Sequence, residues 1–268
     1  MMPVNANFPA HIEGQSVIFL SDVHLGAFPD SVNHSLEDEI IHLLDYAEER
    51  HIRMIILGDL FDYWMEYPGY TPRLDERLRD RFREYNANVG PTLFITGNHD
   101  CWTRDHFLNL GFDVEPEYRI LELDGKKGLL LHGDGLKDDQ LHFPRPRLHR
   151  FLRNEDFISV YQKIFPPALG IRLMRLFSQI GKLREGYTDG TQKLDQWAQQ
   201  TLDTSRFDFI ICGHHHHRRF VQTSAGLYIN LGAYFRDHTL AFFSDQKLTL
   251  VNWPGSHYEL LPDTTSHT

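Results

Sequence analysis

A chain of 268 residues, 41% hydrophobic and 24% charged, is long enough to bury a substantial core and has the balance of an ordinary globular protein. Its net charge of −10 disfavours a duplex-DNA binder, which draws affinity from neutralising phosphates, so no nucleic-acid partner is expected. The distant pair Cys101 and Cys212 argues against a disulfide framework and for a reducing compartment, the start has no signal-peptide pattern, and no apolar run reaches a membrane span of about 18 residues.

From the N-terminus, "SVIFL" (16–20) reads as a buried strand that stops at "SDVHLG". Leu36, Ile40, Ile41, Leu43, Leu44 and Ala47 then follow helical spacing as far as Ile52, with Ser35 as the expected N-cap. "IRMIIL" (52–57) is a second strand, ending at "GDLFDYW". The charged stretch 74–85 reads as a solvated helix, and "PTLFIT" (91–96) as a third strand ending at "GNHD". "YRILEL" (118–123) and "KGLLL" (127–131), joined by "DG", form an expected hairpin whose second strand stops at "HGDGL". A helix near 191–203 precedes the strand "FDFIIC" (207–212), which stops at "GHHHH"; "GLYINLG", "LAFFS" and "KLTLVNW" read as closing β-structure. Alternation early and repeated strands late predict an α/β sandwich built from mixed sheets.

Residues 137–187 break this rhythm. They show little strand character and hold ten basic residues against five acidic ones, so the segment is +5 and the rest of the chain −15. With Phe143, Phe151, Phe157, Tyr161 and Phe165 among many apolar residues, the segment reads as a greasy, basic helical insertion. It is either a plain lid packed on the core, or a basic and apolar face of the kind that lies on anionic membrane surfaces. Arg147, Arg150 and Arg153, at three-residue spacing, are the expected substrate-facing row. Trp64, in "FDYWMEY", is a candidate to stack on a base, with plain packing as the alternative.

The chemistry lies where strands stop. Five apolar runs end in "DVH" (22–24), "GD" (58–59), "GNH" (97–99), "HGD" (132–134) and "GHHH" (213–216). Ligands of open α/β sheets collect outside the carboxyl ends of strands, so five such ends can share one crevice. Each cluster alone is as readily an ordinary turn; five in order are not. Mixed Asp, Asn and His ligation suits Mn, Fe or Zn better than Ca, and a carboxylate such as Asp59 can bridge two cations that clamp a phosphoryl group.

D-x-H, G-D, G-N-H-D, H-G-D and G-H-x-H, in this order, resemble the motifs of the calcineurin-like metallophosphoesterases, from Asp22 to His216. "SDVHLG", "GDLFDYW", "HGDGL", "GHHHHR" and "YINLG" further resemble the branch that splits UDP-2,3-diacylglucosamine in lipid A synthesis; some of that branch carry Arg where this chain has His99. The resemblance implies one four-layer αββα sandwich of mixed sheets over 1–268, with the insertion at about 137–187 as a helical lid. It implies two divalent cations, Mn²⁺ first, with Fe or Zn as alternatives. Asp22, His24 and His216 would hold one, Asn98, His132 and His214 the other, and Asp59 would bridge them, leaving out His215 and His217.

The reaction implied is hydrolysis of a lipid-linked nucleotide diphosphate to UMP and 2,3-diacylglucosamine 1-phosphate, by in-line attack of a hydroxide bridging the cations. His99 would stabilise charge or protonate the leaving oxygen, and Asp100 would orient its ring. The expected place is the cytoplasmic face of the inner membrane, bound peripherally to its anionic surface; the oligomeric state is open. The alternatives are a hydrolase of another nucleotide diphosphate or phosphodiester, and a protein-binding scaffold with a dead site.

Overall fold

The computed structural model describes residues 8–182, 187–205, 207–253 and 259–260. Arg184, Glu185 and "PDTTSHT" lie outside the described residues, as do the side chains of Phe177, Ile180 and Lys182. The first half runs β1 (His11–Ile12), β2 (Val17–Leu20), α1 (Asp30–Glu49), β3 (Arg53–Leu57), α2 (Glu76–Asn88), β4 (Leu93–Ile95), α3 (His106–Asn109), β5 (Asp113–Glu115), β6 (Tyr118–Leu123) and β7 (Lys126–Leu131). Four helices follow: α4 (Arg147–Leu152), α5 (Glu155–Ile164), α6 (Pro167–Lys182) and α7 (Tyr187–Thr204). The chain closes with β8 (Phe209–Cys212), β9 (Arg219–Gln222), β10 (Leu227–Asn230), α8 (Tyr234–Asp237), β11 (Thr239–Ser244), β12 (Lys247–Asn252) and β13 (Glu259–Leu260).

Two mixed sheets result, ordered β1-β6-β7-β8-β10-β9 and β13-β12-β11-β2-β3-β4-β5. Alternation along each strand sends side chains to opposite faces. Val17 and Phe19 of β2 meet Leu130, Ile211 and Ile229 of the other sheet in the inter-sheet core. Their neighbours Ile18 and Leu20 face outward onto Leu36, Ile40 and Leu44 of α1 and onto Leu78 and Phe82 of α2. On the second sheet, Leu129, Ile210 and Cys212 pack beneath Leu194, Trp197 and Ala198 of α7. The layers are therefore α, β, β, α, as expected.

Two boundaries differ from the sequence reading. α1 begins at Asp30 with Pro29 as N-cap, so Ser35 sits inside the helix rather than capping it. Asn33 makes the earlier start possible by accepting from the Gly26 N–H and donating to the Phe28 carbonyl. α2 is capped by Asp75, which accepts from the Arg77 and Leu78 N–H groups, and it is only half solvated: Leu78, Phe82 and Tyr85 are buried. β9, hidden in the basic run after the histidines, was not foreseen; it pairs antiparallel with β10 through main-chain bonds that carry no side-chain signature.

α4–α6 lie within the segment that the sequence reads as a helical insertion. Tyr161 and Met174 pack with Met65, Tyr67 and Trp102, the loops that follow the β3 and β4 motifs. Trp102 Nε1 donates to the Leu152 carbonyl at 3.0 Å, and Gln162 Nε2 to the Glu66 carbonyl at 2.6 Å. The insertion is thus seated on the loops that carry the site.

Candidate metal centre

β2, β3 and β4 run parallel in one sheet, and β7 and β8 run parallel in the other. All five polar clusters consequently leave from the same end of the sandwich. Bonds between the loops draw them together: within one sheet the Asp22 N–H donates to the Gly58 carbonyl and the His24 N–H to that of Asp59, and across the two sheets His132 Nδ1 donates to that of Leu57 at 2.8 Å. The His214 N–H closes the ring on Asp22 Oδ2 at 3.0 Å. Two glycines allow this closeness. A Cβ on Gly97 would stand 2.1 Å from Asp59 Oδ1, and one on Gly213 would stand 2.2 Å from Asp22 Oδ2.

Asp22, His24, Asp59, His214 and His216 all have φ between 52 and 76°, a left-handed backbone that costs each of these L-residues roughly 1 kcal/mol. Five such residues in one place mean that the core and hydrogen bonds hold the loops against local preference, as at many functional sites.

The side chains converge in two groups that share a border. In the first, His216 Nε2 lies 3.2 Å from both Asp22 Oδ1 and His24 Nε2. In the second, His132 Nε2 lies 3.3 Å from Asp59 Oδ2 and 3.2 Å from Asn98 Oδ1; one ligand atom each from Asp59, His132 and His214 lie within 4.8 Å of one another. Asp59 Oδ2 is also 3.8 Å from His24 Nε2, so this one oxygen stands between the groups. Asp22 Oδ1 is buried without a hydrogen-bond partner. A desolvated carboxylate oxygen facing imidazole nitrogens fits a divalent cation, the partner that removes this penalty. His132 is oriented for that role because its Nδ1 is committed to the Leu57 carbonyl.

Burial works against charge on Asp59, but His132 and His99 outweigh it and hold the carboxyl well below its usual range. Burial likewise opposes charge on His132, yet Asp59 pushes it up to about 10. His214, buried beside His132 and His215, is pushed well below its usual range.

His99 joins the border from the other side. Its N–H donates to Asp59 Oδ1 at 2.9 Å, and its ring meets His24 edge-on at 4.8 Å between centroids. Asp100 does not orient this ring. Its carboxylate accepts from the Gly97 and Leu60 N–H groups at 2.7 and 2.8 Å, tying the β3 and β4 loops together, and burial and Asp59 push it up to about 7. Asp62 holds the ring instead: His99 Nδ1 donates to its carbonyl and lies 3.4 Å from its Oδ1. Asp62 is not among the site residues expected from the sequence; the G-D-x-x-D spacing is visible there, but the turn that brings Asp62 back to His99 is not.

Two expected substrate contacts fall elsewhere. Trp64 is sealed in the core at 1% exposure, with Nε1 donating to Glu66, and offers no face to a base. Arg153 follows the short α4 as its C-cap and turns inward, where Nη2 donates to buried Asp134 at 2.9 Å and to the Thr96 carbonyl at 3.2 Å. Arg145 reaches the same carboxylate at 3.3 Å and pairs with Glu117. A buried carboxylate captures a guanidinium that helical spacing alone assigned to the surface. Arg147 and Arg150 are exposed on α4.

Residues 16–218 match the calcineurin-like phosphoesterase family. The chain belongs to it. Among curated relatives, a UDP-2,3-diacylglucosamine hydrolase of Photorhabdus laumondii subsp. laumondii is 27% identical over 88% of this chain and 98% of its own length. A protein of the same name from Porphyromonas gingivalis is 26% identical over 75% and 82%. The one from Actinobacillus succinogenes is 32% identical over 49% of this chain, which spans 55% of that relative, about half its length. The solved structure of an archaeal phosphodiesterase matches with 13% identity over 88% of this chain and 99% of that one, at a TM-score of 0.46. The 640 Å³ cavity lined by Lys126, Phe209, Phe220, Leu227 and Lys247 opens at the opposite ends of the strands and holds none of the five clusters.

Proposed function

We propose that this phosphoesterase hydrolyses the diphosphate of UDP-2,3-diacylglucosamine to UMP and 2,3-diacylglucosamine 1-phosphate. The observation that carries the reaction is the shared carboxylate oxygen: Asp59 Oδ2 stands between His24 and His132. In this reading Asp22, His24 and His216 hold one divalent cation, Asn98, His132 and His214 a second, and Asp59 both, with Mn²⁺ the first candidate. When bound, the cations supply Lewis acidity that lowers the pKa of water and takes up charge on phosphoryl oxygens. His99 acts at the edge of this pair. Asp62 fixes its Nδ1, so Nε2 is the nitrogen that donates to the phosphoryl or leaving oxygen. The water oxygen bonds to phosphorus and gives up a proton to solvent, while the diphosphate P–O bond breaks and the departing phosphate keeps the electron pair.

The curated relatives' name supports the lipid-linked substrate, and so does the surface of the insertion. Leu148, Phe151, Val160, Ile164, Leu169 and Leu176 are 46–64% exposed on α4–α6, beside exposed Arg147, Arg150, Lys163, Arg172 and Arg175. Isolated exposed apolar residues are ordinary, but six on three successive helices with basic neighbours suit acyl chains and anionic lipid. No helix among the described residues is long and apolar enough to cross a membrane. Peripheral attachment at the cytoplasmic face of the inner membrane follows in this reading.

Incubation with UDP-2,3-diacylglucosamine and Mn²⁺ is expected to release UMP, read by chromatography. Turnover of a soluble phosphodiester with no UMP release would replace this substrate with the soluble class. Sedimentation with anionic vesicles is expected at low salt and reduced at high salt, and Phe151→Asp with Leu148→Asp is expected to weaken it.

A further inference from the structure

We infer that His149 is a substrate-binding residue for the phosphate that is not attacked, and so selects diphosphates over monophosphates. The inference rests on the diphosphate hydrolysis proposed above. His149 lies in the middle of α4, and both ends of that helix are anchored to the site. Before it, Arg145 pairs with Glu117 and approaches Asp134; after it, Arg153 donates to Asp134, Thr96 and the Pro116 carbonyl. These bonds hold both ends of the helix against the site.

The ring is 21% exposed and stands edge-on to His214 at 6.3 Å between centroids; His214 in turn meets His132 at 5.0 Å. His149 therefore borders the Asn98, His132 and His214 half of the centre, while His99, against His24, borders the other. One imidazole thus borders each half of the candidate centre. With His99 serving one phosphate, a second phosphate linked to it would reach the half that His149 borders.

Electrostatics fit an anion there. Asp134 is already matched by two guanidinium groups, and exposed Arg147 and Arg150 add positive charge on the same helix. His149 Nδ1 is 4.0 Å from Asp134 Oδ2, beyond hydrogen-bond reach. Nε2 is the nitrogen assigned to the phosphate oxygen.

The test measures binding of UDP and UMP to the Mn²⁺-loaded full chain by calorimetry. Wild-type protein is expected to prefer UDP. His149→Ala is expected to weaken UDP by about 10- to 100-fold, the scale of one charge-assisted hydrogen bond, with UMP affinity and bound Mn²⁺ unchanged. His149→Gln, whose amide nitrogen falls near the position of Nε2, is expected to recover part of the preference. Equal weakening of UDP and UMP with loss of Mn²⁺ would make His149 a prop for His214 and overturn the inference. Unchanged UDP affinity in His149→Ala, or a wild-type protein that does not distinguish the nucleotides, would overturn it as well. Failure of the lipid-substrate reading shows separately, as wild-type protein that binds UDP and releases no UMP from UDP-2,3-diacylglucosamine.

Discussion

His99 and its neighbours separate two effects that a single activity assay would merge. The His99 ring is directed by Asp62, whereas Asp100 ties the Gly97 and Leu60 N–H groups of two loops. His99→Ala is expected to lower kcat on the order of 100-fold, the usual scale for a positioned acid, with metal content unchanged. Asp62→Asn keeps the main-chain carbonyl that accepts from Nδ1 and removes only the carboxylate charge 3.4 Å away, so kcat is expected to fall by less than about 10-fold, again without metal loss. Asp100→Ala should instead appear in denaturant melts as a loss of about 1–3 kcal/mol, the penalty for leaving buried donors without an acceptor. Kinetics, metal analysis and melts on the three variants check the division; a stable Asp100→Ala with wild-type melting would refute the loop-tying role.

Among the elements, α4 depends on charge burial. Asp134 and Arg153 are almost fully buried, so Arg153→Ala leaves a buried carboxylate matched only by Arg145. A loss of about 3 kcal/mol in unfolding free energy is expected, near the lower end for a broken buried pair. The same pair sets a pH dependence. Burial works to raise the Asp134 pKa, but Arg153 and Arg145 outweigh it and hold the carboxyl far below its ordinary range. A depressed folded pKa means that the stabilisation is complete above the unfolded value, about pH 4, and drains as pH falls through the folded value. The stability difference between wild type and Asp134→Asn should therefore stay constant from neutrality to about pH 5 and shrink below about pH 4. A difference that grows on acidification in urea melts would contradict this assignment.

For the whole molecule, the candidate centre is a clasp between sheets: Asp22, His24, Asp59 and Asn98 leave one sheet, His132, His214 and His216 the other. Ions held by both sheets bind the folded state and not the unfolded chain. Divalent cation at about 100 times its Kd is expected to add about 2.7 kcal/mol of stability, seen as a higher Tm that EDTA reverses. Asp59→Ala is expected to lose most of that increment, since both groups share its carboxylate. An unchanged Tm on adding Mn²⁺ or EDTA would count against a clasp.

How much of this could be read before folding depends on the range of the forces involved. The strands β2, β3, β4, β7 and β8 and the polar residues at their ends were legible because alternation, β-branching and glycine placement are local properties of neighbouring residues. The order of the five clusters pointed to one crevice, and the parallel strands do bring them to one end. The roles of Asp62, Asp100, Trp64 and Arg153 were not legible. For Asp62, Asp100 and Arg153 the deciding partner lies 37, 40 and 19 residues away and comes within about 3 Å only after the loops close, while Trp64 is hidden by core packing. Local pattern specifies which residues can ligate, bury or turn. Which carboxylate faces which ring or guanidinium is settled by packing and desolvation, which act only once the two sheets have met.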